Sequence, residues 1–164
     1  MINLQKDVAV FKNFLPLQEA QEHFNFAKSY FSNSYKNEMQ DWESRTKVIE
    51  DPKPINLVKE YLENELNVKL TCSQAQYQLW PEGSESFLHR HTALNRESTD
   101  FNSLLYLNDD YDGGEFITEH GFVLKPEIGD LTFFNGMNIA HGVKPVLKNN
   151  RYTMIFWWIN TVVN

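Results

Sequence analysis

Apolar and polar positions follow two different rhythms along this chain. Leu17, Ala20, Phe24, Ala27 and Phe31 recur at intervals of 3, 4, 3 and 4, which sets them on one face of a helix. Pro16 stands just before that run, where a first helical turn tolerates a missing N–H. Residues 7–11 read as a short strand, and residues 32–53 are polar without a clean period, a loop with short elements at most. From Pro54, the positions Ile55, Val58, Leu62 and Leu66 mark a second helix stripe. From about Thr71 the period falls to two: Ala75, Tyr77 and Leu79 alternate with Gln74, Gln76 and Gln78, as in a strand. Further short strands are expected at 103–107, 116–118, 122–124, 131–134, 142–146 and 152–159, with turn signals at 80–83, 109–114, 126–129 and 148–150. Many short strands with no helix between them predict a mainly β fold, an antiparallel sandwich or jelly roll. A single domain over residues 1–164 is expected, with 1–70 as strand and helical support and 71–164 as the barrel core.

Composition narrows the classes. The chain of 164 residues has room for one core, and its 41% hydrophobic residues argue against disorder. The net charge of −7 disfavours a sequence-blind nucleic-acid binder or a binder of anionic membranes, both of which need clustered cations. Cys72 is the single cysteine, so there is no internal disulfide, zinc finger or Cys-x-x-Cys site. A cytoplasmic location fits that usage. The N-terminal stretch lacks the apolar run of a secretory signal, and the longest apolar run, residues 154–159, is far short of the roughly 20 residues a membrane span takes.

Five histidines are candidates for chemistry. His23 lies inside the first helix pattern and reads as a surface or boundary residue, and His120 reads as a hairpin tip. His89 and His91 are separated by one residue, so in an extended segment their imidazoles point the same way and can share one ion. His141 opens a later strand that a jelly roll can fold back opposite the pair. Three facial ligands with open positions are what a non-heme Fe(II) site requires. Ten residues after His141 comes Arg151, which shares a strand face with Thr153, Ile155 and Trp157. A guanidinium held there suits a carboxylate presented by a ligand, with the threonine hydroxyl beside it.

His141, Arg151 and Thr153, taken with residues 103–108 (SLLYLN), Gly113-Gly114-Glu115, residues 126–131 (PEIGDL) and Phe133-Phe134, resemble the 2-oxoglutarate and Fe(II) dependent oxygenases. The likeness is strongest to their prolyl 4-hydroxylase-like branch, with its small viral and bacterial members, and it covers roughly residues 74–158. The resemblance implies a double-stranded β-helix, Fe(II) and 2-oxoglutarate as cofactors, and L-ascorbate as a reductant. It implies hydroxylation of an unactivated C–H by O2, with a prolyl residue of a peptide or protein as the family-level substrate and a small molecule as the other option. It makes His141 the distal metal ligand, Arg151 the partner of the far carboxylate of 2-oxoglutarate, Thr153 the end of the R-x-S/T motif and Tyr106 a further cosubstrate contact. Trp157 falls where related enzymes close the pocket with an aromatic, and Tyr77 is grouped with it as pocket-lining.

The chain departs from the family at the first metal motif, which is normally H-x-D. Here it reads His89-Arg90-His91-Thr92-Ala93. Aligned from Gly83 without gaps, His91 replaces the aspartate and the metal ligands are His89, His91 and His141, a neutral set that also accepts zinc, nickel or copper. The alternative takes His91 as the first ligand and Ala93 in the carboxylate slot, as in halogenases of this superfamily. Glu85, Glu97 or Asp100 could also supply a carboxylate, and a site that binds iron poorly is a further option. A 2-oxoglutarate-independent three-histidine enzyme and a non-catalytic jelly-roll module remain open as rival functions.

Overall fold

The computed structural model describes residues 2–34, 43–91 and 101–161. In chain order it contains β1 (Ala9–Phe11), α1 (Leu17–Ser34), a single 3-10 turn (Glu43–Arg45), β2 (Thr46–Val48), α2 (Pro52–Leu66), β3 (Leu70–Trp80) and β4 (Ser86–His89). There follow β5 (Phe101–Tyr106), β6 (Asp112–Gly113), β7 (Phe116–Thr118), β8 (Val123–Leu124), β9 (Leu131–Phe134), β10 (His141–Val143), β11 (Val146–Lys148) and β12 (Arg151–Asn160). A six-stranded sheet in the order β1-β9-β5-β12-β3-β2 packs on a four-stranded sheet, β4-β10-β7-β8, and β11-β6 forms a two-stranded ribbon. Every pairing is antiparallel. The fold is mainly β, a jelly roll with helices on one side.

Both helices cover the outer face of the large sheet. Asp51 caps α2 by accepting from the Lys53 N–H at 3.0 Å, and Asn67 ends it in the left-handed region at φ 51°. Strand alternation then sorts the side chains. On β12, Tyr152, Met154, Phe156 and Trp158 join Ala20, Ala27, Phe31, Val58 and Leu62 in the larger core. The intervening residues face the other sheet, where Leu104, Tyr106, Phe116, Phe134, Ile139 and Ile155 form a second, smaller cluster. Fully burying each large apolar side chain contributes about 1.5–3 kcal/mol, so the helix-backed core is the stabilising layer and the inter-sheet space is left for the site.

The expected strand at 142–146 is two strands instead. Pro145 has no N–H to donate to a ladder, and its carbonyl accepts from the Gly114 N–H at 3.0 Å as the chain turns between β10 and β11. Two motifs of the sequence prove to be braces. Buried Asp130 accepts from the Lys12 ammonium at 2.5 Å and from the Asn13 and Glu127 N–H groups at 3.1 and 2.9 Å. Asn108 accepts from the Tyr152 N–H at 2.8 Å and donates to the Asn150 carbonyl at 2.8 Å, which fixes the start of β12 and with it Arg151.

Candidate active site

His89 closes β4 and His141 opens β10, and the two are direct partners across the small sheet. His91 lies just beyond β4, where its N–H donates to the Gly136 carbonyl at 2.9 Å. The ring centroids are 5.5 Å apart for His89 and His91, 4.6 Å for His89 and His141, and 4.8 Å for His91 and His141. One ring nitrogen from each comes within 4.8 Å of the others, the one such group of possible ligands among the described residues.

Tautomers follow from the backbone. His141 Nδ1 meets the Ile139 carbonyl at 2.9 Å and His89 Nδ1 meets the Phe87 carbonyl at 2.9 Å. A carbonyl only accepts, so both Nδ1 atoms carry the proton and both Nε2 atoms keep a lone pair for a metal. Burial pushes the His141 imidazole down to about 4, against the Ile139 hydrogen bond, and burial followed by the neighbouring His89 lowers His91. Neutral imidazoles of this kind fit a divalent cation. Arg90, between His89 and His91, is clamped to both carboxylate oxygens of Glu119 and donates from Nε to the Asn138 carbonyl at 3.2 Å. Glu119 also accepts from the Ala140 N–H at 3.0 Å, so one ion pair ties the approaches to all three histidines.

The opposite end of the site is cationic. Arg151 is 1% exposed, and none of its three guanidinium nitrogens has a hydrogen-bond partner among the described residues. Its guanidinium carbon lies 5.4 Å from the ring centroids of both Trp80 and Tyr106. The Tyr106 and Tyr111 hydroxyls and the Thr132 hydroxyl are likewise buried without partners. Burial pushes the Tyr106 phenol up to about 12, with the Arg151 charge working the other way, and burial raises Tyr111 too. Both phenols therefore stay protonated at neutral pH and can donate. An uncompensated buried charge is costly by several kcal/mol. A carboxylate in the cavity, which accepts at two oxygens, would pair with this fork. Gly114 makes the arrangement possible: at φ +64°, a Cβ there would stand 3.0 Å from the Tyr111 ring and 3.2 Å from Arg151 Cδ.

A cavity of about 530 Å³ joins the two ends. His89, His91 and His141 line it with Arg151, and Trp157, Trp80, Phe87 and Arg45 shape the rest. Trp157 thus stands in the pocket wall. Tyr106 lies buried against Arg151, and the Thr153 hydroxyl donates to Gln78 Oε1 at 3.4 Å, with Gln78 itself lining the cavity. Tyr77 does not belong to the pocket. Strand alternation turns it with Ala75 and Leu79 toward the helices, where it packs on Phe26 and its hydroxyl meets His23 Nδ1 at 2.7 Å. Glu85 lines the cavity but joins no ligand cluster. His120 is a largely exposed residue between β7 and β8. Ala93, Glu97 and Asp100 lie outside the described residues.

Sequence reasoning missed Tyr111, Thr132, Gln78 and Trp80. Thr132 carries a weak signal, since it sits between apolar residues with its hydroxyl facing inward from β9. Tyr111 carries none, because it stands in a stretch that reads only as a turn.

A family model for the 2OG-Fe(II) oxygenase superfamily matches residues 73–159. Prolyl 3-hydroxylase 2 of Mus musculus is 41% identical over 66 residues, which cover 36% of this chain and 9% of that protein, and the Homo sapiens protein matches to the same extent. The chain therefore corresponds to a small part of these curated relatives. Among solved structures, the viral collagen prolyl hydroxylase of Paramecium Bursaria Chlorella virus-1 in its 2OG complex superposes with a TM-score of 0.72 at 15% identity, covering 94% of this chain and 96% of that one. A Pseudomonas putida prolyl-4-hydroxylase gives 0.65 at 19% identity, covering 93% and 91%. With its barrel, its histidine cluster and its buried arginine in place, the chain belongs to the 2OG-Fe(II) oxygenase superfamily.

Proposed function

We propose that this chain is an Fe(II)- and 2-oxoglutarate-dependent dioxygenase that hydroxylates an unactivated C–H, with a prolyl residue of a peptide or protein as substrate. The observation that carries the reading is Arg151: a fully charged group, buried in the wall of the histidine-lined cavity, with no carboxylate of the described chain to pair with. His89, His91 and His141 would hold Fe(II), and Arg151 with the Tyr106, Tyr111 and Thr132 hydroxyls would hold the far carboxylate of 2-oxoglutarate. When bound, Fe(II) and 2-oxoglutarate would supply the chemistry in which O2 is split, one oxygen going to succinate as carbon dioxide leaves and the other to the substrate C–H. The protein orients and excludes. His141 and His89 keep Nε2 free through their Nδ1 bonds, the protonated phenols donate to the anion, and Trp80, Phe116, Phe134 and Ile155 keep the chamber apolar where oxidant and substrate meet. The prolyl substrate is supported by the similarity to prolyl 3-hydroxylase 2 and to the viral and bacterial prolyl hydroxylases, and L-ascorbate is the reductant proposed for uncoupled turnover.

A second reading, a three-histidine metal enzyme without 2-oxoglutarate, is favoured only by the absence of a carboxylate from the histidine cluster among the described residues. Adding Fe(II) and then 2-oxoglutarate to the protein without oxygen separates the two. A visible charge-transfer band that needs both, followed by succinate and hydroxyproline when oxygen and a proline-rich peptide are added, is the expected result. A metal-loaded protein that develops no band and forms no succinate overturns the proposal.

A further inference from the structure

His89 and His141 each have a carbonyl on Nδ1, but the Nδ1 of His91 is buried with no backbone carbonyl on it among the described residues. A carboxylate in this position has no proton to place, whereas an imidazole that ligates through Nε2 must give its Nδ1 proton to an acceptor. The structure offers one. Asn102 on β5 is 0% exposed, and both its Oδ1 and its Nδ2 lack partners. Alternation puts Asn102 on the inward face of β5 with Leu104 and Tyr106, an apolar setting in which an amide has no structural use. Gly136 locates the meeting point: a Cβ there would stand 2.3 Å from Asn102 Oδ1 and 2.8 Å from His91 Nδ1, so both atoms border the space that glycine leaves open. The Gly136 carbonyl also accepts the His91 N–H, which anchors the ring from its own backbone.

We propose that Asn102 is the positioning residue of His91, its side-chain carbonyl accepting the Nδ1 proton so that Nε2 faces the metal. Asn102 and Gly136 together adapt the site to a histidine where the family has an aspartate. The inference rests on the three-histidine reading, and the test separates the two. Loading the full chain, labelled with 15N-histidine, with Zn(II) and recording long-range proton–nitrogen spectra should show His91 protonated at Nδ1 and ligated at Nε2, like His89 and His141. This needs no substitution. In Co(II) titrations without oxygen, Asn102→Ala should weaken binding by about ten-fold or more, while Asn102→Asp, which keeps the acceptor, should bind about as tightly as wild type. Ligation of His91 through Nδ1, or an Asn102→Ala protein that binds Co(II) like wild type while His91→Ala does not, overturns the role of Asn102 and leaves the triad standing. A His91→Ala protein that binds Co(II) as tightly as wild type overturns both.

Discussion

The two ends of the cavity are built from unlike parts of the fold. His89 and His91 come from β4, an edge strand of the small sheet whose later residues are exposed, and from the chain just beyond it, while His141 opens the neighbouring buried strand β10. Arg151 opens β12, which lies between β5 and β3 in the large sheet and is backed by helices. The histidine end is held by a few backbone carbonyls and one ion pair. The cationic end is buried, with Arg151 set in the cavity wall. A charge desolvated and held in place before any ligand arrives trades stability of the empty protein for grip on an anion.

The largest effect should come from Arg151→Met. Removing an unpaired buried charge should stabilise the ligand-free protein by about 1–4 kcal/mol, while the KM for 2-oxoglutarate rises by roughly 100-fold or more from loss of a charged hydrogen-bond partner. Urea unfolding and succinate assays read the two halves, and a destabilised variant would show that the guanidinium is paired after all.

Acid should act on the other end. Burial holds folded His141 neutral down to about 4, whereas the imidazole of an unfolded chain takes a proton near 6.5. Between those values the unfolded chain binds more protons, so stability falls as pH drops through the window, by on the order of 3 kcal/mol at its lower limit. Denaturation of the chelator-treated protein across that range should show the loss, and His141→Gln should flatten it.

Arg90→Ala should weaken divalent metal binding by about ten-fold, because the clamp on Glu119 supports all three histidine approaches. Exchanging the charges, Arg90→Glu with Glu119→Arg, should restore part of the loss in the same titration, and no recovery would mean that Arg90 acts by packing alone.

Tyr77→Phe should cost only about 1 kcal/mol, the worth of one hydrogen bond to His23, and leave the KM for 2-oxoglutarate unchanged. A raised KM would return Tyr77 to the pocket.

Much of the fold was legible because periodicity is local. The stripe from Leu17 to Phe31 became α1, and the alternation around Tyr77 became β3. The short edge strands β2 and β4 and the two-residue β6 were not legible, since three or four residues carry too little pattern and their pairing is imposed by neighbouring strands. The same alternation that revealed β3 could not say which of its faces was the pocket. Tyr77 was misplaced for that reason, while Gln78 and Trp80, one residue on either side of Leu79, line the cavity.

What the amino-acid order determined by itself was chemical identity: the imidazoles at 89, 91 and 141, the guanidinium at 151 on a strand face, and the mainly β framework around them. Only the tertiary structure decided that these imidazoles converge, that Arg151 is buried in the wall of the same cavity, and that Asn102 stands beside His91. Side-chain type and facing are written in neighbouring residues, whereas convergence depends on the register of strands distant in sequence and on close approaches, such as those at Gly114 and Gly136, that leave no local trace.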